Sequence, residues 1–230
     1  MPTAVVTGAN SGIGFAFAQI LVRGASGYDV YACDISLGEN IKSFGCSSFQ
    51  LDVRSTDSIE AFSSSFGHKP LDLLLNIAGV MASHAEDTLE TVSLAVLAKT
   101  FETNTFGPLL LTQALLPNLL ASSHPRIGMM SSRVGSIADN STGGMYAYRA
   151  SKAALNSVCK SMAMDLKSKG VVVAILHPGI VNTNIDPSTH TLPEAVEPEE
   201  AASKLWAVLM SKDLEDTGKF WHREGQELPW

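Results

Sequence analysis

Tyr148 and Lys152 stand four residues apart in the run Met145–Leu155, whose pattern predicts a helix continuing to about Lys169. That spacing puts both side chains on one helix face. A lysine ammonium beside a phenol favours the phenolate, so the pair predicts a tyrosine pKa drawn down from about 10. Such a tyrosine can trade protons near neutral pH. Tyr146 lies on another face. Two hydroxyls precede the pair: Ser132, ending the apolar run Arg126–Met130, and Ser136 in the loop beyond it. Ser132 is preferred because it closes a strand, and Ser136 stays open as the alternative. Asn104 interrupts an apolar helical stretch and needs a partner. Its simplest role is to satisfy nearby backbone.

A second constellation opens the chain. Thr3-Ala4-Val5-Val6 reads as a buried strand, and Ile13–Val22 reads as a helix. Between them lies Thr7-Gly8-Ala9-Asn10-Ser11-Gly12-Ile13-Gly14. Strand, glycine turn and helix together leave backbone N–H groups free at a helix N-terminus, where a pyrophosphate is favoured by donors and dipole alike. Gly8 suits the tight turn, Gly12 the close approach of a ligand, and Gly14 the packing of helix on strand. Asp34 follows the second apolar run, Tyr28–Cys33, 20 residues after Gly14. A carboxylate there can accept hydrogen bonds from an adenosine ribose and repel a 2′-phosphate, which favours NAD(H) over NADP(H).

Both constellations need a frame. Further strands are expected at Ser47–Leu51, Leu71–Leu75, Arg126–Met130, Val171–Leu176 and Thr217–Trp221. Helices are expected from Ser55 to about Phe66, from Leu89 to about Ala121 with a break near Lys99–Asn104, and over Glu199–Met210. Pro108 removes the N–H that would reach residue 104, so that turn should be irregular. The alternation predicts an α/β fold: a doubly wound parallel sheet of about seven strands, Rossmann-like, with residues 1–230 as one domain. Strand ends at Asn76-Ile77-Ala78-Gly79 and His177-Pro178-Gly179 fall on the edge where such sheets bind ligands. The loop 184–197 is the candidate substrate loop.

The bulk numbers narrow the class. Apolar residues make up 45% and charged residues 17% of the 230, as in globular proteins. A net charge of −7 argues against nucleic acid or anionic membranes as partners. Cys33, Cys46 and Cys159 imply no disulfide framework, and no metal-ligand cluster stands out. No apolar run reaches spanning length, and a strand starting at Thr3 leaves no room for a signal peptide, so a cytoplasmic location is expected.

Taken together, the Thr7–Gly14 turn, Asn76-Ile77-Ala78-Gly79, Ser132, Tyr148 with Lys152, and Pro178-Gly179 followed by Thr183 resemble the compact branch of the short-chain dehydrogenase/reductase family. The run Tyr148–Asn156 and the Lys219-Phe220-Trp221 ending look most like its sniffer-type carbonyl reductases. The resemblance covers nearly the whole chain. It implies a nicotinamide-dependent oxidoreductase acting on a carbonyl and secondary alcohol pair. Tyr148 would be the acid/base. Lys152 would hold the nicotinamide ribose and depress the Tyr148 pKa, Ser132 would bind the substrate oxygen, and Asn104 would hold a water linking Lys152 to solvent. Gly8, Asn10, Ser11, Gly12, Ile13 and Gly14 would carry the pyrophosphate, and Asp34 the adenosine ribose. Asp52 and Val53 would meet the adenine, Asn76, Ala78 and Gly79 would flank the cofactor, and Pro178, Gly179, Val181 and Thr183 would close its nicotinamide end, Thr183 at the carboxamide. The resemblance further implies a homo-oligomer pairing through the helices near 101–121 and 146–169.

Two departures are visible. Ile77 stands where the family usually has a second asparagine. The family's serine usually precedes its tyrosine by about a dozen residues, whereas Ser132 precedes Tyr148 by 16 and Ser136 by 12. Walls for the substrate are expected at Met81–Glu90, Arg133–Met145 and Asn184–Glu197, with Met81, Met145 and Ile185 giving an apolar lining. Two other classes compete: a non-catalytic nucleotide-binding scaffold, and non-redox chemistry of a dehydratase or cyclase kind on the same site.

Overall fold

Apolar strands separated by helices build one parallel sheet in the computed structural model, which describes residues 1–24 and 27–230. The strands are β1 (Thr3–Thr7), β2 (Asp29–Asp34), β3 (Ser47–Gln50), β4 (Leu73–Asn76), β5 (Arg126–Met130), β6 (Val172–His177) and β7 (Phe220–His222). Their order across the sheet is β3-β2-β1-β4-β5-β6-β7, and every neighbouring pair is parallel. The order reverses beside β1, so the carboxyl ends of β1 and β4 open a crevice there.

Side chains alternate between two layers, as a strand covered on both faces requires. Val5, Leu74, Val173 and Ile175 point into one core with Phe62, Phe66, Leu111, Leu155 and Leu166. Ala4, Val6, Leu73, Leu75 and Leu176 point into the other with Phe17, Leu21, Leu205 and Leu209. The first layer is supplied by α3 (Thr56–Phe66), α5 (Gly107–Ala114) and α7 (Tyr146–Lys167), with α4 (Leu94–Phe101) packed against α7. The second is supplied by α1 (Gly12–Arg23) and α8 (Pro198–Ser211).

Four details differ from the sequence reading. The helix expected from Leu89 starts at Leu94, capped by Ser93 accepting from the Val96 N–H at 3.2 Å. Its expected break is a wide π turn at Glu102–Phe106, next to the missing Pro108 donor, and the chain continues as α5 and α6 (Leu116–Leu120). One short helical turn, α2 (Glu39–Lys42), has no apolar period long enough to announce it. The last strand is Phe220–His222 rather than Thr217–Trp221, and the tail beyond folds back: the Leu228 N–H donates to Phe220 O at 2.7 Å, and Trp230 stacks on Phe220.

Candidate functional site

The glycine turn has the geometry its spacing implied. Gly8 and Gly12 hold positive φ of 68° and 55°, which non-glycine residues rarely adopt. A Cβ on Gly14 would fall 2.1 Å from the Gly8 carbonyl oxygen, so α1 can lie this close to β1 only with glycine there. Ser11 begins α1 without a side-chain cap. The first-turn N–H groups of α1 therefore stand at the cavity wall formed by Ser11, Gly12, Ile13 and Gly14. That donor set fits a pyrophosphate. Asp34, at the end of β2, accepts from the Asn10 N–H at 3.0 Å and the Ser36 N–H at 3.1 Å while still lining the cavity. Thr7 Oγ1 accepts from the Ile77 and Ala78 N–H groups at 3.0 and 3.1 Å, which joins the ends of β1 and β4.

One cavity of about 920 Å³ runs from this turn to the helix α7. Gly8, Asp34, Asp52, Val53, Ala78, Gly79, Pro178, Gly179, Val181 and Thr183 line it, as do Ser132, Tyr148 and Lys152. Met81, Met145 and Ile185 contribute the apolar wall that was expected. Asp52 carries a two-point pair with Arg54, at 3.0 and 2.8 Å, which lowers its pKa.

Three expected residues stand apart from the wall. Asn10 turns away: its side chain accepts from the Ile41 N–H at 3.2 Å and fastens the α2 turn. Asn76 is buried beneath the sheet edge and donates to Thr112 Oγ1 at 3.3 Å. Asn104 is fully buried, with both amide hydrogens and its carbonyl engaged. Oδ1 accepts from the Val80 N–H at 2.8 Å, and Nδ2 donates to Val80 O at 2.8 Å and Ser151 Oγ at 3.1 Å. The side chain thus satisfies nearby backbone and α7, as the simpler reading of a buried asparagine had it. Ser151 in turn donates to the Tyr148 carbonyl at 2.8 Å, so the π turn helps to fix the start of α7.

At the other end of the cavity Ser132 and Tyr148 share one wall, and the serine hydroxyl acts to lower the pKa of the phenol. Ser136 does not reach this wall: it is buried, and its hydroxyl accepts from the Asp139 N–H at 3.2 Å. Lys152 is buried, lies 5.7 Å from the centre of the Tyr148 ring, and donates through Nζ to Met130 O at 2.8 Å. Gly135 makes that burial possible, since a Cβ there would sit 2.7 Å from Lys152 Cβ.

The expected depression of the tyrosine pKa is corrected here. Burial of the phenol pushes Tyr148 up to about 12, the Ser132 hydroxyl opposes this, and the negative charge of Asp186 adds to it. Lys152 does not reverse the shift, because burial pulls its own pKa down to about 8. Desolvation outweighs the pairing.

Three further side chains lie within the expected walls but were not singled out from the sequence. Asp87, buried, accepts the Ala147 and Tyr148 N–H groups. His84 and Asp186 pair at 3.2 Å across the mouth, between the wall after β4 and the loop after β6. Nothing in their local sequence distinguishes them from solvated loop residues; contacts 60 to 102 residues away in the chain give them their place. The loop is closed at its base by a bridge between Val181 and Val196 and contains one helical turn, Pro187–Thr191.

Comparison with known proteins agrees with this architecture. A family model described as short chain dehydrogenase matches residues 2–192. The chain is 40% identical to C-signal of Myxococcus xanthus over 172 residues, 75% of this chain and 100% of that protein. It is 35% identical to 1-hydroxy-2-glutathionyl-2-methyl-3-butene dehydrogenase of Rhodococcus sp. strain AD45 over 100% of both. Among solved structures, NADPH-bound carbonyl reductase from chicken fatty liver superposes with a TM-score of 0.91 at 31% identity, covering 100% of this chain and 99% of that one. Carbonyl reductase Sniffer of D. melanogaster superposes with a TM-score of 0.90 at 25% identity, covering 100% of both.

Proposed function

This chain belongs to the short chain dehydrogenase family, and on that premise we propose that it reduces a ketone or aldehyde to an alcohol with Tyr148 as proton donor. The observation that carries this reading is the meeting of Tyr148, Ser132 and Lys152 on the same cavity as the uncapped N-terminus of α1. A bound nicotinamide cofactor supplies the hydride. Tyr148 gives its phenolic proton to the carbonyl oxygen, and Ser132, on the same cavity wall, binds the same oxygen. A phenol held protonated up to about pH 12 suits a donor in the reductive direction. Lys152 holds the nicotinamide ribose and offsets charge left on the phenol.

NAD(H) is the cofactor we propose, ahead of NADP(H). Asp34 presents a carboxylate beside the glycine turn, no lysine or arginine lies in residues 8–14 or 35–38, and the guanidinium of Arg54 is held on Asp52. The chicken carbonyl reductase binds NADPH, so this preference belongs to the chain's own residues. The substrate is a small carbonyl compound seated against Met81, Met145 and Ile185. Exposed apolar side chains at Leu94, Phe106, Leu109 and Met164 support a homo-oligomer paired through α4, α5 and α7.

A panel of aldehydes and ketones, read by oxidation of NADH and of NADPH, tests the proposal. Turnover with NADH at a higher kcat/KM than with NADPH is expected. Preference for NADPH would remove Asp34 from its role, and silence across the panel would favour the scaffold or non-redox readings.

A further inference from the structure

The helix that carries Tyr148 and Lys152 has no cap of its own. Gly143 and Gly144 both have φ of 66°, and Met145 follows at 51°, so three left-handed residues deliver the chain into α7. Met145 has no oxygen to offer and makes no cap. The first N–H groups of a helix need acceptors from elsewhere, and here they come from the wall after β4. Asp87, 2% exposed, takes the Ala147 N–H on Oδ1 at 2.8 Å and the Tyr148 N–H on Oδ2 at 3.1 Å. A carboxylate at this end also meets the favourable pole of the helix dipole. Met81 and His84 of the same wall reach the cavity. One buried side chain therefore ties a substrate wall to the backbone of the proton donor.

We propose that Asp87 is a positioning residue for the reaction: by clamping the first turn of α7 it sets where the Tyr148 phenol meets the substrate oxygen. This rests on the reading of Tyr148 as proton donor. Truncating Asp87 leaves the glycine turn and Asp34 untouched, so orientation should suffer more than cofactor binding.

The test compares Asp87→Asn, Asp87→Ala and a control, Ser55→Ala. Asn keeps the volume and one acceptor but turns an amide toward one of the two N–H groups; Ala removes both acceptors. Ser55 caps α3 by accepting from the Ser58 N–H at 3.2 Å and stands outside the cavity wall. Thermal midpoint, kcat, carbonyl KM and NADH Kd are measured on folded protein. Displacements of about 1 Å at a reacting group cost up to about 100-fold, so kcat should fall about tenfold in Asp87→Asn and up to about 100-fold in Asp87→Ala, with NADH Kd changed less than about threefold. Ser55→Ala should lose thermal stability as a cap loss does and keep kcat within about twofold. Asp87 variants whose kcat stays within that same margin would overturn the proposal. Turnover surviving in Tyr148→Phe would overturn the proton-donor reading and this inference with it.

Discussion

The two ends of the cavity are built by opposite means. At the glycine turn, the work falls to backbone: positive-φ glycines, a helix placed against a strand with no room for a methyl, and one carboxylate whose hydrogen bonds come from nearby main chain. At α7 the functional groups are side chains drawn from β5, α7 and the walls, and burial has moved their pKa values, the phenol up to about 12 and the ammonium down to about 8. One end offers main-chain donors and a single carboxylate, while the other buries groups whose charged forms burial disfavours. Displaced proton affinities of this kind are what the proposed proton transfer at Tyr148 calls for.

The variant with the largest expected effect separates the two ends. Tyr148→Phe removes one oxygen and leaves the ring packing. Loss of a general acid costs about 10²–10⁴-fold; we expect kcat to fall about 10³-fold, which is about 4 kcal/mol of barrier. NADH affinity, measured by fluorescence titration, should stay within a few-fold of wild type. If binding and turnover fell together, the ends would not be separable and the contrast drawn above would fail.

Gly14→Ala attacks the other end. The added Cβ would lie 2.1 Å from the Gly8 carbonyl oxygen, a contact that only a shift of α1 can relieve. Overpacking of this kind costs about 1–3 kcal/mol, and a site against rigid backbone belongs at the upper limit. Denaturant unfolding should show about that loss, with NADH affinity falling further than turnover at saturating NADH. Unchanged NADH affinity would mean that the spacing between α1 and β1 is not what shapes the phosphate site.

The same contrast explains what could be read from the sequence. The nucleotide end is local: strand, turn, helix and Asp34 all lie within residues 3–34, and glycine chemistry announces them. The sheet was legible too, because strands covered on both faces appear as unbroken apolar runs. Tyr148 and Lys152 could be picked out only from the combination of motifs along the chain, since helical spacing alone puts many such pairs on one face. Their proton affinities were not legible, since desolvation depends on what covers them, and Met130 and Gly135 are distant in the chain. Asp87 was hidden for the same reason: an aspartate in a polar loop gives no hint that two N–H groups 60 and 61 residues away will bury it. Asn104 was visible as an anomaly, but only the fold shows its amide spent on Val80 and Ser151.

The smallest effect we expect is in stability, and it bears most directly on the claim that the catalytic end is held at a cost. Lys152 has a folded pKa of about 8 against a usual 10.5. The folded state therefore binds this proton less readily than the unfolded chain does. Below pH 8 the buried ammonium destabilises the fold, and the cost fades as pH rises from 8 toward 10.5. At about 1.4 kcal/mol per pH unit the shift amounts to ~3 kcal/mol. Lys152→Met removes it, offset by about 1–2 kcal/mol for leaving the Met130 carbonyl without its donor. The variant should lose turnover yet gain about 1–2 kcal/mol at pH 7 in denaturant unfolding, with the gain shrinking by pH 10. Tyr148 does not mask this window: its raised pKa contributes stability below pH 10 and gives it up only as pH climbs toward 12. A variant less stable than wild type at pH 7 would show that the lysine's bond to Met130 outweighs its burial, and the two ends would then differ in layout but not in cost.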